Sequence, residues 1–264
     1  MRIAAFPLIL ALSLSDCAAV RQQLGLALVT EQTEVDLGRK LAAQVEKQEK
    51  PLADARVQAY VRQVVAPIAQ QSFRDRPGVE YQVTVIDDPK QINAFAIPGG
   101  YVYVYSGLLK AASNEAELAG VMAHEIGHVV GRHSANQLAA QYGIELLTQL
   151  ALGEEGGQLR EMAASLAGAG AMARFSRDDE READEYGFKY LAACGYDPRA
   201  LLTFFTKLEQ LEKSRPSDLE RLFASHPPTP ERIALIEKMI AKAGASGGKL
   251  ERDKFVKETA SLRR

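Results

Sequence analysis

His124-Glu125-Ile126-Gly127-His128 places two imidazoles four residues apart around a carboxylate, in a stretch that reads as helix. On an α-helix, residues i and i+4 share a face, so both rings reach one metal ion. The glutamate between them points to the neighbouring side, where a metal-bound water would stand. Zinc brings the pKa of such a water to about 7, and a carboxylate can then take its proton. The chemistry implied is hydrolysis of an amide bond. The flanking residues, Ala119-Gly120-Val121-Met122-Ala123 and Val129-Val130, are apolar. Burying two histidines and a glutamate there without a metal or partners is costly. Three of the chain's four histidines lie between positions 124 and 133. Gly120 and Gly127 each cost the helix about 1 kcal/mol against alanine, as expected if another segment passes close by.

A catalytic zinc takes three protein ligands and one water. His133 follows five residues after His128, and a helix continuing through it would rotate it away from the 124/128 face. A better source is the acidic segment Ser176-Arg177-Asp178-Asp179-Glu180-Arg181-Glu182-Ala183-Asp184. Glu180 and Asp184 share a helical face, and Glu182 points nearly opposite. A ligand at Glu180 leaves Asp184 one turn on, able to accept a hydrogen bond from a ligand histidine and fix its tautomer. The same residues also suit a solvated face of i,i+4 ion pairs. The pattern alone does not separate Glu180, Glu182 and Asp184.

The elements that must position these groups follow from periodicity and punctuation. Helices are predicted over 31–49, 53–70, 115–133, 135–152, 158–173, 177–194, 199–213 and 230–243. The β-signal is confined to Val79–Ile86, Ala94–Ile97 and Tyr101–Tyr105, with Pro98-Gly99-Gly100 between the last two. The expected class is α+β, mostly helical, with a sheet of three or four strands beside the catalytic helix. If one strand is an exposed edge there, its free backbone can pair with an extended substrate. Asn93, Ala94, Phe95, Gly99 and Gly100 are the candidates for that strand, although the alternating tyrosines also suit ordinary sheet packing.

The chain has 264 residues, 47% hydrophobic and 25% charged, with net charge −2, which suits one domain over 31–243 with tails. Residues 244–264 read as a charged C-terminal tail of weak structure. No basic patch or Gly-rich phosphate loop stands out, so nucleic acid is not an expected partner. Arg2 and the apolar run Ile3–Leu14 resemble a signal peptide over 1–16, too short for a stable membrane span. Leu14-Ser15-Asp16-Cys17 resembles a lipoprotein cleavage box, making Cys17 a lipidated N-terminus and 17–30 a tether. Asp16 departs from the usual small residue, and an ordinary secretory signal or an uncleaved anchor are the alternatives. Ala18 after the cysteine is compatible with sorting to the outer membrane. Cys194 is then the single thiol left, read as a small core residue.

Four motifs in order make the chain recognisable: Asn93-Ala94-Phe95-Ala96-Ile97-Pro98-Gly99-Gly100, His124-Glu125-Ile126-Gly127-His128, Glu180-Arg181-Glu182-Ala183-Asp184, and His226-Pro227-Pro228-Thr229-Pro230-Glu231-Arg232. Together they resemble the zinc metallopeptidase family that includes the HtpX-like, Oma-like and CAAX prenyl protease type one-like enzymes (peptidase family M forty-eight), over roughly 31–243. The likeness is to its soluble periplasmic branch, without membrane-spanning helices or a C-terminal repeat domain. It implies a zincin-like fold and one zinc held by His124, His128 and Glu180, with Glu125 as general base and Asp184 behind a ligand. It also points to His226 and Arg232 as groups reaching the site, either as donors to a developing oxyanion or, for His226, as a fourth ligand that keeps the site latent. Without the resemblance, His226-Pro227-Pro228 is a loop before a helix with Thr229 as its cap and Pro230 in its first turn. The implied activity is metalloendopeptidase action on extended or misfolded envelope proteins. The rival is a chaperone-like binding protein whose zinc site His226 closes.

Overall fold

The computed structural model describes residues 29–153, 157–167, 174–244 and 247–263. The signal segment, Cys17 and most of the tether lie outside the described residues. The chain starts with two helices, α1 (Glu31–Gln48) and α2 (Ala55–Ser72). Thr30 caps α1 by accepting from the Thr33 amide. Asp54 caps α2 through the Arg56 and Val57 amides, satisfying donors that a helix start otherwise leaves open. Strands β1 (Gln82–Ile86), β2 (Ala94–Ile97) and β3 (Tyr101–Tyr105) follow. The sheet order is β1-β3-β2, with β1 parallel and β2 antiparallel to β3. β3 is therefore central and β2 an edge.

The period-2 alternation sorts the sheet's two faces. Val83, Val85, Ala94, Ala96, Val102 and Val104 join one core with α2 and the catalytic helix. Phe95, Ile97, Tyr103 and Tyr105 join a second core with α1 and later helices. Phe95 and Tyr103 stack at 4.9 Å. The alternating tyrosines are thus sheet packing, on the face away from the catalytic helix.

After a short helix α3 (Ser106–Ala111) comes α4 (Glu115–Val130), capped by Asn114 and buried along its whole length. α5 (His133–Tyr142) and α6 (Ile144–Leu152) follow, broken from each other at Gly143 (φ 82°). Then come α7 (Gly157–Leu166), α8 (Arg177–Ala193), α9 (Arg199–Ser214), α10 (Pro216–Ser225) and α11 (Pro230–Ala243). α8 starts with a reciprocal capping box between Ser176 and Asp179. Pro230 opens α11 as expected, but the Thr229 hydroxyl makes no cap bond.

Four expectations change. The single helix predicted over 135–152 is two, α5 and α6, broken at Gly143. The helix predicted over 115–133 ends at Val130, because Arg132 takes a left-handed conformation (φ 57°, ψ 26°). The segment 216–225, not predicted helical, is a full helix. The C-terminal tail is not weakly structured where it is described: α12 (Arg252–Glu258) and a 3-10 turn at Ala260–Arg263 pack onto the domain. Phe255 is fully buried, Arg56 pairs with Glu258 at 2.7 Å, and Lys254 pairs with Glu115 at 2.8 Å. No helix among the described residues is long and apolar enough to cross a membrane.

Candidate metal centre

α4 and α8 cross almost backbone to backbone. A Cβ on Gly127 would stand 2.8 Å from the Ala183 carbonyl oxygen, and one on Gly187 would stand 3.2 Å from the His124 Cα. Missing side chains on both helices thus let the second acidic helix lie beside the histidines. The stripe Glu180, Ala183, Asp184, Gly187 faces α4 at i,i+3/i+4 spacing, and all four residues are buried or packed there.

This crossing brings His124, His128, Glu180 and His226 together, with one ligand atom from each within 4.8 Å of all the others. His128 Nε2 lies 3.1 Å from His124 Nε2 and 3.5 Å from Glu180 Oε1, and His124 Nε2 lies 3.6 Å from Glu180 Oε2. A tetrahedral zinc with bonds of about 2.0–2.1 Å sets its ligand atoms about 3.3–3.4 Å apart, so the donor set fits this ion. The proton positions are compatible with it. His124 Nδ1 faces the Asp184 carboxylate at 2.9 Å, an acceptor-only group, so its proton sits on Nδ1. His128 Nδ1 faces His133 Nδ1 at 2.9 Å. When His128 likewise carries its proton on Nδ1, two bare Nε2 lone pairs face each other at 3.1 Å, an arrangement that a cation between them satisfies.

Each expected residue can now be placed. Glu125 is buried, and its Oε1 stands 3.7 Å from His226 Nε2. Burial pushes its carboxyl above the ordinary range, against the pull of His226 and His124. Burial also keeps His128 neutral, with His124 and His226 acting in the same sense. For Glu180, burial opposes ionisation, but His226 and Arg232 outweigh it and hold the carboxyl below its usual value.

Asp184 is behind His124, as the resemblance implies. Arg232 holds it with a two-pronged pair at 2.7 Å each and reaches Glu180 Oε2 at 2.6 Å. Nη1 also turns to the Pro227 carbonyl at 3.3 Å. Arg232 thus directs three of its five N–H groups at the two carboxylates and positions them. His226 ends α10, with Nδ1 2.8 Å from Glu180 Oε1 and 3.4 Å from His124 Nε2. Its Nε2, facing Glu125, remains available to a reacting group.

Of the strand residues, Asn93, Ala94 and Phe95 do lie in or at the edge strand beside α4. The Tyr105 amide donates to the Asn93 carbonyl, so alternation turns the main-chain groups of Ala94 and Ala96 away from β3, but all four β2 residues are buried and the expected exposed edge is covered. Ser134 already donates to the Ala96 carbonyl at 2.9 Å. Gly99 and Gly100 follow β2 closely. They form a positive-φ turn (82° and 89°), where a Cβ would stand 3.3 Å from Val35 Cα at Gly99 and 2.4 Å from the Glu80 carbonyl at Gly100. Sequence reasoning set His133 aside and missed Phe175, which stacks on His128 at 4.2 Å. Gly131, just before the helix break, was the available signal for His133.

The arrangement is a buried zinc hydrolase centre, and the comparisons agree. Residues 55–240 match the family described as Peptidase family M48. Metalloprotease YcaL of Escherichia coli is 33% identical over 79% of this chain and 76% of its own length. Mitochondrial metalloendopeptidase OMA1 of Schizosaccharomyces pombe is 35% identical, covering 62% of this chain and 48% of that protein. Beta-barrel assembly-enhancing protease of Escherichia coli is 38% identical, covering 54% and 31%. The chain thus spans half or less of the latter two and about three-quarters of the first. The chain belongs to peptidase family M48 and carries its zinc metallopeptidase domain, of α+β class.

Proposed function

We propose that this protein is an endopeptidase that cuts extended or misfolded proteins of the cell envelope, held by lipid on Cys17 at the periplasmic side, at the outer membrane. The observation that carries the substrate class is the space beside Glu125. A narrow crevice of about 30 Å³ opens from His124, Glu125 and His226 between the apolar walls of Leu108, Val121, Leu201, Phe204 and Phe223. Folded proteins bury the apolar side chains that fit such walls, whereas unfolded ones expose them. The name of the barrel assembly-enhancing relative supports an envelope setting.

His124, His128 and Glu180 would hold the zinc, which when bound supplies a polarised substrate carbonyl and a water of pKa near 7. Glu125 takes the proton of the attacking water and passes it to the leaving amine; its raised pKa suits both halves of that task. His226 Nε2 is placed to donate to the carbonyl oxygen as charge develops there. The test is degradation of an unfolded protein by the full chain, with bound zinc quantified. Glu125→Gln should lower turnover by about 10²–10⁴-fold with zinc unchanged; equal cleavage by both proteins would refute the mechanism.

One observation favours a second reading. His226 Nδ1 sits within ligand distance of the other three groups, so His226 also suits a fourth ligand that closes a latent or chaperone-like site. His226→Ala separates the two: a gain in proteolysis identifies a plug, and a loss identifies a catalytic donor. The anchor is tested apart from the chemistry, since Cys17→Ser should release the protein from membranes.

A further inference from the structure

We infer that His133 is a positioning residue for the metal centre: its Nδ1 accepts the Nδ1–H proton of His128, and its own Nε2–H is anchored by the carboxylate of Glu182. The inference rests on the zinc reading above, and three observations carry it.

The first is the hydrogen-bond chain. His133 Nδ1 lies 2.9 Å from His128 Nδ1, and His133 Nε2 lies 3.3 Å from Glu182 Oε2 and 3.7 Å from Asp179 Oδ1. One of the two facing Nδ1 atoms carries the proton. His128 presents Nε2 to the other ligand atoms, and a neutral imidazole keeps one proton, so in His128 that proton is on Nδ1. His133 must then accept at Nδ1 and carry its proton on Nε2, which faces the two carboxylates. A single assignment satisfies every contact.

The second is the space kept for the ring. A Cβ on Gly131 would stand 2.3 Å from His133 Nε2 and 2.6 Å from its Cε1. Gly131 has an ordinary helical backbone (φ −72°, ψ −5°), so the turn does not require a glycine there; the imidazole does.

The third is the bend that brings the ring back. A continuing helix would carry position 133 off the 124/128 face. Instead Arg132 adopts the left-handed conformation, which costs an ordinary residue about 1–2 kcal/mol. Buried Glu34 secures it: Glu34 accepts from Arg132 at 2.8 Å and from Arg76 at 2.8 Å, and Arg76 also donates to the Val129 carbonyl. Local strain held by a distant ion network marks a position under functional constraint. What the bend delivers is His133 beneath His128.

Outer partners of this kind orient a ligand ring and raise its basicity, and their loss costs about 10–100-fold in metal affinity. The experiment measures zinc affinity of the full chain by chelator competition, with wild type first. His133→Phe keeps a ring but cannot accept, and should bind zinc about 10–100-fold more weakly. His133→Asn keeps an acceptor near the Nδ1 position and should recover most of that loss. Zinc affinities equal to wild type in both variants, or no recovery with asparagine, would overturn the inference. A second readout needs no variant: in ¹⁵N-histidine-labelled, zinc-loaded protein, a coupling should cross the N–H···N bond between the two Nδ1 atoms. A proton on His133 Nδ1 would overturn the inference even if the phenylalanine variant fails to fold. A wild type that takes up no zinc would sink the zinc reading itself, whereas equal affinities across the series sink only the role of His133.

Discussion

His124 and His128 are the same group on the same helix, one turn apart, yet they are held in opposite ways. His124 leans on ions: Asp184 at 2.9 Å, itself clamped by Arg232, which also reaches Glu180. His128 leans directly on neutral groups, the His133 ring and the stacked face of Phe175, with the half-exposed carboxylate of Glu182 touching only the far side of His133. A charged brace survives full burial only when its charges compensate, and removing one member leaves the others stranded. A neutral brace strands nothing, but it works only in one tautomer and one ring position. The first should therefore fail through stability and the second through metal affinity.

The comparison breaks most visibly at Arg232. Arg232→Met leaves Asp184 and Glu180 as buried carboxylates without their cation. The unfolding free energy should drop by about 3–5 kcal/mol, read from urea midpoints; a loss below about 1 kcal/mol would mean the charged brace is not what holds that end.

Acid reports on the same end. Burial opposes ionisation of Asp184, yet the bonds and charge of Arg232 outweigh it and hold the carboxyl at about 2. The folded value lies below the unfolded one near 3.9, so this stabilisation is present above about pH 4 and is lost as the pH falls toward 2. Roughly 2 kcal/mol should disappear across that window, and in Asp184→Asn the same stretch of the stability curve should flatten.

The neutral end is probed by Gly131→Ala, whose methyl competes with the His133 ring for the same space. Zinc affinity should fall about tenfold, while the metal-free protein loses little stability. If stability falls and zinc affinity holds, the two braces do not differ in kind. The smallest effect belongs between them. Gly120 faces Leu201 at an ordinary 3.4 Å, so Gly120→Ala should stabilise the catalytic helix by up to about 1 kcal/mol, measured by thermal unfolding.

Much of this was legible in the sequence because it is local. Asn114 and Ser176 open their helices where expected, and Ala94–Ile97 and Tyr101–Tyr105 are strands to the residue. Gly127 signalled the close passage of a neighbour. What stayed hidden depends on partners distant in sequence. The bend at Arg132 is fixed by Glu34, 98 positions earlier, and helical spacing alone put His133 on the wrong face. Strand order is set by packing on two cores, so nothing in the YVYVY run shows that it sits centrally. Arg232 was marked by the resemblance and not by spacing, and only the geometry shows that it braces Asp184 and Glu180. α12 escaped because seven residues with one buried aromatic, Phe255, carry too little period to read.

That last helix bears on the order in which the molecule comes together. Glu115, in the first turn of the catalytic helix, is buried and accepts from Tyr60 and Tyr196, but its cation is Lys254. Beside it, Arg56 meets Glu258 across 202 positions and Asp54 meets Ser261 across 207. Contacts closing spans of that length form slowly, because chain entropy is lost before the bonds repay it. A nascent chain holds every metal-binding side chain once residue 226 has emerged, yet the start of its catalytic helix stays uncompensated until 254–261 follow. Assembly of the domain should therefore finish at its last helix, with the metal-binding residues already made and waiting.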